Sequence, residues 1–403
     1  MRAAVIAARV LVALLSATVL VAAGYGWSTV RRVQESVNTT DVLTGLSDVP
    51  NAPPAADGAT DILLVGSDSR TDAQGVPLPD RVLRELRTEA TDTLNTDTII
   101  VMRVPHDGSK AHAVSIPRDT YVTIPDVGQE KINSAYGLTK YFTMERLAAA
   151  GSSDLAERSR AGDQAGRRAL VQVVQDLTGV RVDHYAEINL YGFYLLTEVI
   201  GGVDVCLRQA TSDPDSGADF RAGVQTISGG DALAFVRQRK GIPNGDLGRI
   251  TRQQVFMSAA MSKLLSAGTL ADPARLSGLL DAVSKSIVVD EDLDLATFAG
   301  QARGLAGGNV EFATIPVTGV GTLNDRGQSV VTVNPADVKT FVANLLGAKT
   351  PPPTPASPPA SPPSPASSPT PTPTLTNRLS PPPLLSLDGP HHRTAQPTPP
   401  CID

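Results

Sequence analysis

The sequence predicts an α/β protein, and three observations carry that reading. Short continuous apolar runs such as Asp61-Ile62-Leu63-Leu64-Val65-Gly66 suit strands buried on both faces. Stretches with apolar residues at helical spacing, such as 250–265, lie among them. The two kinds alternate through residues 61–346, as layered α/β proteins require.

Residues 10–27 are apolar or small throughout, with Arg2 and Arg9 before them and Arg31-Arg32 after. That run is just long enough to span a bilayer as a helix. Val21-Ala22-Ala23 would serve as a cleavage site, but the apolar run continues past it to Trp27, which favours an uncleaved anchor. The flanking arginines nearly balance and do not orient it. The usual arrangement is a short cytoplasmic end (1–27 with the anchor) and an exported, single-pass body. Residues 28–60 are polar and broken by Pro50, Pro53 and Pro54, and read as a stalk with one helix near 31–42.

The folded domain is expected over 61–346. Strands are expected at 61–66, 98–104, 111–116, 183–188, 203–207, 312–316 and 330–333. Residues 71–93 form a charged insertion with a weak helix. Helices are expected at 165–177, stopped by Gly179, and at 191–200, stopped by Gly201-Gly202. Ser228 is the expected N-cap of a helix over 229–237, with Asp231 at N3. Asn334-Pro335 starts a last helix that runs through Leu346. Aromatic residues are only 4% of the chain, so the core rests on Val, Ile, Leu and Ala.

Nineteen of the 32 prolines fall within 351–403, mixed with Ser, Thr and Ala, so residues 347–403 read as a disordered tail that cannot bury a core. The two cysteines are Cys206, in a predicted buried strand, and Cys401, in that tail. A packed thiol is the favoured reading of Cys206, and a disulfide between the two the less favoured one. The five histidines show no ligand spacing.

The net charge of −6 and the acidic balance argue against nucleic acid as a partner. Against that background the cations are concentrated, which suggests an anionic ligand. Asp68 follows the first predicted strand and Asp97 opens the second. Each alone is an ordinary turn acid; together at neighbouring strand ends they suit a divalent cation. Arg118 and Asp119 follow the third strand, either as a turn salt bridge or as a phosphate grip with an orienting or basic acid, and Lys131 comes next. Arg237 and Arg239 are two apart and share a face of extended chain. Arg249, Arg252 and Gln253 are at i, i+3 and i+4, with Asp246 just before them as a cap. That set is either an anion clamp at a helix start or a solvated charged face. There is no G-x-S-x-G elbow, Walker loop or dinucleotide fingerprint.

In order along the chain, DILLVGSDSR, NTDTIIVMRV, AVSIPRDTYVTIP, KINSAYGL, LTGVRVDHYAEINLYGF, IGGVDVCL and ISGGDALAFVRQRKGIPNGDLGRITRQQ resemble the LytR-CpsA-Psr family. The resemblance implies a central mixed β-sheet flanked by helices. It implies a membrane-anchored phosphotransferase that moves a glycopolymer from a polyprenyl-pyrophosphate carrier onto peptidoglycan, outside the cytoplasm. By motif, Asp68 and Asp97 would hold Mg²⁺ or Mn²⁺. Arg118, Arg237, Arg239, Arg249 and Gln253 would bind phosphate, with help from Lys131. Arg252 and Asp246 would support the clamp, and Asp119 would orient Arg118 or activate the acceptor hydroxyl. Many members carry Arg-Ser-Asp-Thr where this chain has Asn95-Thr96-Asp97-Thr98, which removes one arginine. An apolar groove for the lipid is expected; Val173, Leu177, Tyr191, Phe193 and Leu196 are candidates for its walls, with ordinary core the favoured reading of all five. The alternatives are a metal-dependent pyrophosphatase with the same site and a non-catalytic wall-polymer binding protein. Transcriptional control is excluded by the acidic charge, the anchor and the lack of a helix-turn-helix pattern.

Overall fold

The computed structural model describes residues 37–46, 58–89, 94–243, 245–264, 273–294, 297, 310–346 and 401–403. The expected anchor and most of the proline-rich stretch lie outside the described residues. Among the described residues no helix is long and apolar enough to cross a membrane.

The centre is a seven-stranded mixed sheet. Its strands are β1 (Asn38–Thr40), β2 (Ala59–Ser67), β3 (Thr96–Pro105), β4 (Ala111–Ser115), β7 (His184–Asn189), β12 (Ile287–Asp290) and β13 (Val310–Thr314). They run in the order β1-β12-β7-β2-β3-β4-β13. β2, β3 and β4 pair antiparallel as a meander, and β7 lies parallel to β2. The α/β expectation therefore holds, and the sheet is mixed.

Strand alternation sorts β2 between two environments. Leu63 and Val65 belong to a core with Ile99, Val101, Val114, Leu170 and Val174. Leu64 and Gly66 belong to the other face and line a cavity. The first face is covered by α3 (Leu155–Thr178) and α8 (Pro335–Leu345). Asp154 caps α3 through the Ala156 and Glu157 amides, and Gly179 ends it in the left-handed region at φ 73°. Helix α2 (Ala135–Ala149) crosses α3 so closely that a Cβ on Gly166 would sit 2.3 Å from the Tyr136 ring. The second face carries α4 (Leu190–Val199), α5 (Gly229–Arg237), α6 (Asp246–Leu264) and α7 (Pro273–Ser286). These pack with β8 (Val203–Leu207) and β11 (Gly223–Ile227) into a core holding Phe220, Phe235 and Phe256. The charged insertion contributes α1 (Asp80–Glu85), whose Val82 and Leu83 pack on Leu233.

Three hairpins complete the frame, one of them β9 (Thr211–Asp213) paired with β10 (Ala218–Phe220). β5 (Tyr121–Ile124) pairs with β6 (Gly128–Lys131), and β14 (Gly319–Leu323) with β15 (Ser329–Thr332).

Three expectations are corrected, and one choice between two readings is decided. Residues 37–46 are not a stalk helix: β1 lies parallel to β12, and Val42 and Leu46 are in the core. Ser228 precedes α5, but its hydroxyl donates to Glu198 instead of capping, and Asp231 pairs with Arg87. Val173 and Leu177 are core residues on the opposite face of the sheet, in line with the favoured reading of them. Cys206 and Cys401 form a disulfide, and β16 (Cys401–Ile402) lies parallel to β8, so the far end of the proline-rich stretch is docked.

Candidate active site

The sheet ends and helices α4, α5 and α6 enclose a cavity of about 760 Å³. One part is apolar, lined by Leu64, Ile188, Phe193, Val236, Phe256 and Met257. The other part collects Asp68, Asp97, Arg118, Arg237, Arg239, Arg249 and Gln253. Seven residues proposed from four separate sequence segments thus meet on one wall.

Asp68 follows β2 and is pinned by the backbone of Asn95. Its amide donates to the Asn95 carbonyl at 2.9 Å, and its Oδ1 accepts from the Asn95 amide at 2.6 Å. Asn95 therefore supports the site through its main chain. Burial raises the Asp68 pKa, and the charge of Asp97 adds to that rise, against the Asn95 bonds and the charge of Arg70. Asp97 accepts from Arg118 Nη1 at 2.6 Å and more weakly from Asn133 Nδ2 at 3.4 Å. A cation would relieve the repulsion between two such carboxylates. Mg²⁺ uses one or two protein carboxylates and completes its shell with phosphate and water. Among the described residues no group of three or more His, Cys, Asp and Glu could hold an ion. A cation at Asp68 and Asp97 would then need oxygens from an anion or water, which fits Mg²⁺ beside a pyrophosphate.

Arg237 ends α5 and Arg239 follows it in extended chain, so both face the cavity while Gln238 between them is buried. Arg237 donates to the carbonyls of Leu86 at 3.1 Å and Arg87 at 3.4 Å. Burial and the charge of Arg70 push its pKa down. The Arg239 amide donates to Asp213 at 3.0 Å, which fixes the turn that carries it. Arg249 and Gln253 share the α6 stripe that continues to Phe256 and Met257.

Arg252 departs from the expected clamp. It is 1% exposed, lies over the Phe235 ring, and donates to Gln238 Oε1 at 2.6 Å and to the Asp403 carbonyl at 3.1 Å. Burial lowers its pKa to about 10. It lies on the flank of the α6 stripe, under residues 401–403, and is not among the residues lining this cavity. The side chain of Asp246 lies outside the described residues.

Asp119 and Lys131 stand on a second, smaller cavity of about 440 Å³. Lys131 Nζ sits 2.9 Å from Asp119 Oδ1, and Arg118 Nε lies 3.7 Å from Asp119 Oδ2. Both carboxylate oxygens face cations, so Asp119 is better placed to hold Arg118 and Lys131 than to accept a proton. Asp68, Asp97 and Arg118 line this cavity as well as the larger one.

Sequence reasoning missed Arg70. Its guanidinium contacts the Asp68 carbonyl, lies 3.2 Å from the Asp68 carboxylate and donates to Thr88 Oγ1 at 3.0 Å. It lines the large cavity, and its place two residues past Asp68 on a strand end was the available signal. Of the expected groove walls Phe193 alone lines that cavity; Tyr191 and Leu196 are partly buried against neighbouring apolar clusters.

A model of the LytR_cpsA_psr family matches residues 27–345. The cell wall biosynthesis protein LcpA of Corynebacterium glutamicum is 49% identical over 86% of this chain and 66% of its own. The polyisoprenyl-teichoic acid–peptidoglycan teichoic acid transferase TagU of Oceanobacillus iheyensis is 30% identical over 57% of this chain and 65% of its own. The chain thus spans about two thirds of the length of these curated relatives. The crystal structure of Bacillus subtilis TagV shares the fold, with a TM-score of 0.51 at 19% identity over 73% of this chain and 100% of that one.

Proposed function

The chain belongs to the LytR-CpsA-Psr family, and from that premise we propose that it is an extracytoplasmic phosphotransferase. It moves a glycopolymer from a polyprenyl-pyrophosphate carrier to a peptidoglycan hydroxyl and leaves a phosphodiester link. One observation carries this reading: a large cavity with apolar and arginine-bearing lining and a smaller polar cavity share Asp68, Asp97 and Arg118. A polyprenyl chain suits the apolar part, its pyrophosphate the arginine-lined part, and a hydroxylic acceptor the polar side. The name of the TagU relative describes a transfer of this kind.

In the reaction the acceptor oxygen bonds to the phosphorus that bears the glycan. The bond from that phosphorus to the bridging oxygen breaks, polyprenyl monophosphate leaves with the electron pair, and the hydroxyl proton passes to solvent or to a carboxylate on the shared wall. Phosphoryl transfer asks mainly for positioning and charge neutralisation. Arg118, Arg237, Arg239 and Arg249 neutralise the pyrophosphate, and Gln253 orients it. Mg²⁺, held by Asp68 and Asp97, would supply further neutralisation of the leaving group. The body is anchored to the membrane by residues 10–27, which keeps the cavity near its lipid substrate.

The test uses the full chain in detergent, because residues 37–46 and 401–403 belong to the fold. It is given a polyprenyl-pyrophosphate glycan, Mg²⁺ and peptidoglycan. Linked product together with polyprenyl phosphate is the expected result. Polyprenyl phosphate without linked product would mean a pyrophosphatase. Lipid binding with neither product would mean a binding protein.

A further inference from the structure

We propose that the 440 Å³ polar cavity is the subsite for the acceptor glycan, a proposal that rests on the transferase reading. The cavity is assembled from segments far apart in sequence: Asn95 before β3, Asp119 after β4, Glu130 and Lys131 in β6, Ser134 before α2, and Gln328 in the β14–β15 turn. Leu138 is its one apolar side chain. A lipid tail would find nothing to bury against there. A saccharide, with hydroxyls that both donate and accept, finds carboxylates, an ammonium, amides and a hydroxyl at close spacing.

Size separates an acceptor from a water nucleophile. At about 30 Å³ per water, the cavity holds on the order of fifteen waters, far more than hydrolysis needs. Its position on the shared wall brings a sugar hydroxyl to the pyrophosphate from the hairpin side, while the lipid enters from the side of α4, α5 and α6.

The wall also has an exposed rim, formed by the β14–β15 turn. The β14–β15 turn is tied to β6 by Arg326, which lies 2.5 Å from Glu130 and donates to the Gln129 carbonyl at 3.0 Å. Gln328 uses its carbonyl oxygen on Asn324, and among the described residues its NH₂ group has no hydrogen-bond partner. The turn therefore presents free donors at the rim, away from the residues that face the pyrophosphate, and selects the acceptor.

Gln328 is exposed, so Gln328→Trp adds bulk at the rim without entering the core. We expect the acceptor KM to rise about tenfold or more, and Gln328→Ala to raise it about threefold, the size of a lost hydrogen bond or two. Donor affinity and the acceptor-free release of polyprenyl phosphate should stay at wild-type values in both. An unchanged acceptor KM in both variants overturns the proposal, as does a matching loss of donor affinity. Calorimetric titration of a soluble peptidoglycan glycan onto the full chain tests the subsite apart from the reaction. If wild type makes no linked product yet binds that glycan, and Gln328→Trp abolishes the binding, the transferase reading fails while the subsite stands. No binding to wild type would sink the subsite.

Discussion

Replacing Arg118 by alanine is expected to tighten Mg²⁺ binding while it abolishes transfer. Arg118 pairs with Asp97, with Nη1 2.6 Å from Oδ2. If Asp97 holds Mg²⁺ as proposed, the guanidinium competes with the ion for that carboxylate. Unit charges about 4 Å apart attract by roughly 4 kcal/mol at an effective dielectric near 20. Asp97 is 34% exposed and Arg118 15%, so solvent reduces the net pairing to about 1–2 kcal/mol. Removing that competitor corresponds to roughly 5- to 30-fold tighter Mg²⁺ binding. On the proposed mechanism the same variant loses the guanidinium assigned to the transferring phosphate, worth about 10³-fold or more in kcat. The two effects have opposite signs, which no general unfolding of the site would produce. Calorimetric titration of Mg²⁺ at low salt gives the first number, and the linked-product assay gives the second. Mg²⁺ affinity that is unchanged or weaker in Arg118→Ala would refute the competition, and would mean that Arg118 positions Asp97 for the cation.

Two further predictions concern the frame. Arg103 and Asp61 form an ion pair at 2.7 Å with side chains 7% and 6% exposed; Arg103→Met leaves the acid buried without that guanidinium and is expected to cost about 3–5 kcal/mol, read as a lowered denaturation midpoint. Burial opposes charging of His184, but its hydrogen bond to Asp290 and the charge of that acid outweigh burial and raise its pKa. A raised histidine pKa stabilises the fold fully below about pH 6.5, and the contribution is lost as pH rises through the higher folded value. Asp290→Asn should therefore cost more stability at pH 6 than at pH 9, and an equal cost at both would remove the histidine from the account.

What could be read from the sequence was local. The runs that became β2, β3 and β4 have the burial pattern of a central sheet, and Asp68 and Asp97 at their ends come to one wall because the two strands are neighbours. The two-residue spacing of Arg237 and Arg239 placed both on the cavity for the reason given by the extended chain. The failures were all of long range. Periodicity shows that α3 has a buried stripe, but not which face of the sheet it covers, so it left core and groove wall both open for Val173 and Leu177, and the structure makes them core. Arg252 lies on the flank of the α6 stripe, and its direction is decided by Gln238 and by residues 401–403, about 150 positions away. Strand β1 is three polar residues whose pairing depends on β12. The disulfide joins cysteines 195 positions apart and leaves no local trace.

That disulfide changes what the proline-rich stretch is mechanically. Its near end continues from α8, whose Val338 and Val342 are in the core, and its far end is bonded to Cys206. Residues 347–400 therefore form a closed span rather than a loose end. A single protease cut within them would release nothing until the protein met a reductant. A load applied to the span would be shared between α8 and β8, and at β8 it would bear on the same residues 401–403 that cover Arg252 at the back of α6.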